Sequence, residues 1–524
     1  MSLKTDEKQP LIARPRSQNR VSYSDRVSYS DAISNGDRKI SDRDVTSLDM
    51  PQGAFFYTTS GITIQKHLTL AKAIAVMVGS VAGTGIFIAP TGVLKGTGSV
   101  GMSLIVWTIC GLLNLLLALC YAELGSAIPV AGGDYAYIYQ VLGRFPAFMS
   151  LWVMVVLIGP SAMAFIGRTF GMYLATMFSL DCSVTFIIVS AIFLLVSVCI
   201  LNMFSIPWAS RSATWLSLTK VLGMGLIVII GIVKISQGYT DNFIHPFEGT
   251  NPNPAEIVVA FLPGFVSYGG WDCINALAEE MKNPRRDMPI AAFVSLITVI
   301  IIYLCINVAY FAMLSPKEFL LSDAVATSFI QKAWPSAPWI IPVLVCLSSA
   351  GSAVNSMMSC PRWAFAGGRD GNFPRILSFM HIRHFTPVPA VLLLSMISAF
   401  FISATFLDLQ SLLKVSSLQV QIKTSLALIA LIRLRHKFPE TQRTIEVPMV
   451  FILLGLVCLL TIISIAVYQE PALNGVSLLF FCCGAPMYLL SLWLQKFTFI
   501  NTVMDKMTAF LQRLMLVVPE KKVH

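Results

Sequence analysis

About twelve apolar runs, each near the ~20 residues that a helix needs to cross a bilayer, leave this chain few folds to choose from. They begin near Leu68, Met102, Ala147, Thr185, Leu216, Val258, Ala292, Ile340, Val391, Leu412, Val450 and Val476. In hydrocarbon every backbone N–H and C=O has to be paired inside the protein, so runs of this length read as spanning helices. With 56% of its residues hydrophobic and 12% charged, the chain is excluded from the soluble class. The expectation is an all-α polytopic membrane protein.

Three segments follow from the runs: a tail over 1–66, a twelve-helix domain over 67–495, and a C-terminal tail over 496–524. The first tail is rich in Ser, Asp, Arg and Gln and poor in residues that build a core, so it is expected to be disordered and cytoplasmic. The first run lies too far from the start for a cleaved signal peptide and is expected to persist. Lys and Arg give a net charge of +10 and gather in both tails and in alternate connections, including Arg144, Lys282, Arg285, Arg286, Arg369, Arg375, Arg383, Arg433, Arg435 and Arg443. By the positive-inside rule both termini are cytoplasmic, the second tail included. The basic excess is an orientation signal, and without aromatic-basic patterning it does not point to nucleic acid.

Two runs are interrupted by glycine at corresponding places. One reads Val81-Ala82-Gly83-Thr84-Gly85-Ile86, and the other reads Val266-Ser267-Tyr268-Gly269-Gly270-Trp271-Asp272. A break at membrane depth survives where it lines a cavity or meets a ligand, and such pairs mark substrate sites in carriers built from inverted repeats. The helices accordingly divide into two sets of five plus a terminal pair, each set opened by a broken helix. Unpaired N–H groups at the start of a half-helix favour a carboxylate, and carbonyls freed at the end of its mate favour an ammonium. Glycines also serve close helix packing, which is the competing reading of a single cluster.

Further motifs carry a family resemblance that covers almost everything after the tail. They are Gly83-Thr84-Gly85-Ile86-Phe87, Tyr121-Ala122-Glu123, Gly132-Gly133-Asp134-Tyr135-Ala136-Tyr137, Tyr268-Gly269-Gly270-Trp271, Glu279-Glu280, Arg362, Arg369-Asp370-Gly371 and Thr386-Pro387-Val388-Pro389. The chain resembles the light chains of the heteromeric amino acid transporters, the L-type branch of the amino acid/polyamine/organocation superfamily. The resemblance implies a leucine-transporter-type fold, with a 5+5 inverted repeat and two added C-terminal helices. It also implies sodium-independent exchange of amino acids and a disulfide, here through Cys182, to a single-pass glycoprotein heavy chain. The absence of an Asn-X-Ser/Thr acceptor suits a light chain whose partner carries the glycans. Lys220 matches the family's lysine that replaces a sodium ion between the first, fifth and eighth helices; the other reading is a lysine that snorkels to the interface.

Several charges bear on selectivity. Asp272 follows the second break and would favour cationic substrates by charge pairing. Lys414 and Lys423 in the tenth run stand as alternatives: either neutralises Asp272, or one faces the pathway. Val266 stands where the family often has a bulky gating aromatic, with Phe265 one position earlier. Arg168 is an unexplained charge in the third run. Glu7 with Leu11 and Ile12 resembles an acidic dileucine sorting signal for endosomal or lysosomal membranes.

The chain is therefore expected to be an antiporter of neutral amino acids, with cationic ones second, in the plasma membrane. The rivals are an endolysosomal amino acid sensor and a proton-coupled or uniporting carrier. Substrates, a heavy chain and membrane lipid are the expected partners. Six histidines in no metal-binding or nucleophile-base spacing indicate no enzyme, metal or cofactor.

Overall fold

The computed structural model describes residues 66–519 apart from 84, 179–182, 323–324, 405–408, 440–442 and 495. The first run is split into α1 (Leu70–Val81) and α2 (Gly85–Thr97). Next come α3 (Val100–Ala127), the connecting helix α4 (Asp134–Leu142), then α5 (Arg144–Val153) and α6 (Gly159–Met177) joined by a π turn at Met154–Ile158. The first set ends with α7 (Val184–Phe204) and α8 (Ile206–Ser236).

The second set opens with α9 (Pro254–Ser267) and the four-residue α10 (Cys273–Ala276) across the other break. Then follow α11 (Pro284–Met313), the connecting helices α12 (Pro316–Leu320) and α13 (Val325–Ala333), α14 (Ile340–Ser359), α15 (Pro361–Arg369), α16 (Val388–Ser403) and α17 (Leu409–Lys437). The terminal pair is α18 (Met449–Gln469) and α19 (Pro471–Leu494). Ten helices among the described residues are long and apolar enough to span a bilayer, and the shorter apolar α9 and α16 complete the twelve.

Packing separates the helices into two groups. α1 and α3 pack with α11 and α2 packs with α9, whereas α7, α14 and α16 pack on α6. The fifth span, α8, touches both groups through α1, α11 and α14. α18 and α19 hold on to α17 and leave most of their surface exposed, as helices facing acyl chains do. Cys482 and Cys483 of α19 are exposed too, unlike most of the other described cysteines.

Local chemistry sets the boundaries. α8 starts ten residues before the apolar run at Leu216, because the Ser205 hydroxyl accepts from the Trp208 amide at 3.3 Å and Pro207 sits in the first turn. At α12, Ser315 and Glu318 form a reciprocal capping box. Lys332 of α13 lies 2.9 Å from the Glu318 carboxylate, and this contact, with the Ser315 donors, pulls its pKa from 4.5 down to about 2. The stabilisation of α12 is therefore complete above pH ~4.5 and is lost as pH falls toward 2. Amide exchange over Ser315–Leu321, corrected for intrinsic pH dependence, should accelerate across that window and stay level in Glu318→Gln.

The segment from 496 onward, read as a tail, contains α20 (Thr498–Met515) and a strand, β2 (Val517–Pro519). The strand pairs antiparallel with β1 (Phe379–His381), so that His381 faces Val517. Near the opposite end of the described chain, Leu68 bridges to Met281.

Candidate substrate site between the two helix breaks

α1 stops where Ala82 leaves helical geometry, at φ −70° and ψ 66°. The Gly83 amide folds back on the Val81 carbonyl at 2.7 Å, and α2 restarts at Gly85. α9 unwinds at Tyr268, and Gly270 takes φ +97°, a conformation that favours glycine. The two breaks touch. A Cβ on Gly270 would lie 3.0 Å from the Ser80 carbonyl oxygen, and one on Gly85 would lie 3.0 Å from Ser267 Cα. From α11 the Tyr303 hydroxyl reaches both, 2.9 Å from the Val81 carbonyl and 3.3 Å from that of Ser267.

Aromatic rings wall this junction. Trp107, Tyr268 and Tyr303 sit with centroids 5.0–5.8 Å apart. The Tyr268 hydroxyl and the Trp107 Nε1 are buried without a hydrogen-bond partner among the described residues. Asn114 of α3 anchors the second break: its amide donates to the Phe265 carbonyl at 3.3 Å, and its oxygen accepts from Trp271 Nε1 at 2.9 Å. Of the two residues expected to gate the site, Phe265 is buried and Val266 is exposed. Ile86 is buried beside the first break. Thr84 lies outside the described residues.

Lys220 does not snorkel. Its side chain is buried, and Nζ donates to the Gly79 carbonyl at 2.6 Å and to Ser352 Oγ at 2.8 Å. The ammonium thus joins α1, α8 and α14. Gly79 permits the approach, since a Cβ there would meet Ser217 Oγ at 1.8 Å.

The tenth-helix alternatives are resolved in favour of Lys423. Buried Lys423 donates to Asp134 Oδ2 at 2.8 Å and to Asp272 Oδ2 at 2.6 Å, and the Tyr121 hydroxyl donates to the other oxygen of Asp134. Lys414, by contrast, is exposed near the start of α17 and pairs with Glu470. It neither neutralises Asp272 nor lies in this cluster, because nine residues along a helix are two and a half turns and place it on the opposite face. The Asp272 side chain remains 22% exposed while that of Asp134 is 3% exposed, so the carboxylate that can meet solvent is the one on the break.

Sequence reasoning quoted Asp134 within a motif without assigning it, and passed over Tyr303 and Asn114, which are single polar residues inside apolar runs. It also left Arg168 unexplained. That guanidinium donates to the carbonyls of Ile402 and Ala404, satisfying the exposed C-terminal end of α16. The charged motif residues largely pair with one another: Arg362 with Glu280 and Arg369 with Glu279, each at 2.8 Å, and Arg435 with Glu123 at 2.6 Å. Cys182 and the Glu7, Leu11 and Ile12 motif lie outside the described residues.

The same span of chain matches known proteins. The amino acid permease family model matches residues 68–488. The cystine/glutamate transporter of Homo sapiens is 35% identical over 464 residues, covering 88% of this chain and 92% of that one. The large neutral amino acids transporter small subunit 2 of Mus musculus is 34% identical over 469 residues, 87% of each chain. The b(0,+)-type amino acid transporter 1 of Mus musculus is 32% identical over 463 residues, 88% of this chain and 94% of that one. Two facing breaks, two packed helix groups and a match that runs from the first spanning helix into α19 lead to one conclusion: the chain belongs to the amino acid permease family, on its branch of heteromeric amino acid transporter light chains.

Proposed function

We propose that the protein exchanges amino acids across the membrane without sodium, by alternating access around the two breaks, with neutral L-amino acids as leading substrates. The observation that carries the reading is the contact of the breaks at Gly270 and Ser80, with Tyr303 bonded to both. In this reading residues 81–86 and 266–272 hold the α-carboxylate and α-ammonium by backbone groups, Val266 gates the side-chain pocket, and the Lys220 ammonium occupies a sodium position. Cationic amino acids come second, because Asp272 shares its charge with Lys423. The names of the relatives, one of them a small subunit, support a heavy-chain partner, and in this reading Cys182 is the residue that links it. Both termini are cytoplasmic in this reading, consistent with the basic connections, and the protein works at the plasma membrane unless the Glu7, Leu11 and Ile12 motif diverts it to endolysosomes.

The test is uptake of a labelled amino acid panel into proteoliposomes, preloaded or empty, with and without sodium and with a heavy chain present. Uptake that needs internal amino acid and ignores sodium supports the proposal. Flux into empty vesicles would mean a uniporter, and saturable binding without flux would mean a sensor. Asp272→Asn leaves Lys423 paired with Asp134, so neutral exchange should persist. Any lysine or arginine uptake should fall about tenfold, the value of one charge-assisted hydrogen bond near 1.5 kcal/mol.

A further inference from the structure

α20 has an exposed apolar stripe that the fold leaves uncovered. Met507, Phe510 and Leu514 are each more than half exposed, and their spacing of three and four residues places them on one side of the helix. Met515, about 100° round the helix from Leu514, packs with Phe379, Val388 and Val517. The stripe is thus distinct from the face that holds the helix to the protein. Exposed Lys506 precedes Met507 and lies along the edge of the stripe, while exposed Lys496 precedes the helix.

The position of the helix is fixed at both ends. It begins a few residues after α19 ends at Leu494. It ends in β2, whose partner β1 adjoins the start of α16: the His381 amide bonds the Thr386 carbonyl, two residues before Val388. An 18-residue helix is ~27 Å long. Standing upright, it would carry its far end that distance from the surface, yet β2 must return to the mouth of a spanning helix. The helix therefore runs along the bilayer surface.

We propose that α20 is an interfacial helix that seats Met507, Phe510 and Leu514 among the acyl chains of anionic phospholipid, with Lys496 and Lys506 on the headgroups. An apolar stripe edged by cations at the level of the headgroups is what such helices present, and each cation adds attraction to an anionic leaflet. Adsorption of this helix also steadies the segment before α16, because β2 and β1 share a ladder.

The full-length protein carrying Phe510→p-benzoylphenylalanine, reconstituted in nanodiscs of phosphatidylcholine with or without phosphatidylserine, reads this directly. Irradiation should give lipid adducts on the 510 peptide in several-fold excess over the same probe at Asp505, which lies off the stripe. Phosphatidylserine should be enriched among the adducts, and Lys496→Gln/Lys506→Gln should remove that enrichment while leaving the lipid adducts. A second probe at Met507 guards against local disturbance at 510. Adducts on another protein chain, or lipid yields at 510 and 507 no higher than at 505, would overturn the proposal. Unchanged phosphatidylserine enrichment in the double lysine variant would overturn its anionic-lipid part.

Discussion

Lys423→Met should cost the folded protein about 3–5 kcal/mol, the usual penalty for removing one partner of a buried ion pair. Asp134 and Asp272 would then face each other with their shared ammonium gone, and Asp134 would keep only the Tyr121 hydroxyl. The readout is thermal unfolding of the detergent-purified protein together with the yield of monodisperse material. Asp134→Asn in the same chain removes the stranded buried carboxylate and should recover most of the loss. Asp272→Asn should recover less, because the Asp272 side chain is partly solvated. Loss within about 1 kcal/mol in the single variant would mean that the native state does not depend on this ion cluster.

Gly270→Ala should lower exchange by roughly two orders of magnitude without preventing folding. A left-handed backbone costs an alanine about 1–2 kcal/mol, and its Cβ would press on the Ser80 carbonyl at 3.0 Å. Relief requires the second break to draw away from the first, so a ligand held by both loses one set of contacts, and small misplacements of that kind reach ~10²-fold in rate. Gly83→Ala is the contrasting case. Gly83 has no positive φ, and its nearest neighbours to a new Cβ stand at 3.8 Å or beyond. Counterflow rates should rank Gly83→Ala well above Gly270→Ala. The reverse order would sink the steric account.

The spanning helices and the two breaks were legible because hydrocarbon enforces long apolar runs and makes an interruption conspicuous. Lys220 was legible for the same reason, as a charge deep inside a run. The start of α8 was not, since Ser210, Arg211 and Ser212 dilute its hydropathy while Ser205 and Pro207 carry the signal. Lys414 and Lys423 were left as alternatives, although nine residues put them on opposite faces of one helix. Which face turns inward depends on α4, whose Asp134 lies 289 residues away from Lys423 in sequence. α20 escaped notice because Asn501, Asp505, Lys506, Gln512 and Arg513 leave it no continuous apolar run.

Tyr303 has one proton and two carbonyls within reach, 2.9 Å and 3.3 Å away on different half-helices. A donor with a spare acceptor is never stranded. If an arriving charged group claims the Val81 carbonyl, the hydroxyl turns to Ser267, and if it claims Ser267, the hydroxyl keeps Val81. Occupation and release at this junction can therefore proceed without leaving a buried hydroxyl unbonded, a debt that would otherwise be of order 1–3 kcal/mol in each direction. A rearrangement nearly level in energy is what a carrier that must load and unload at both faces requires.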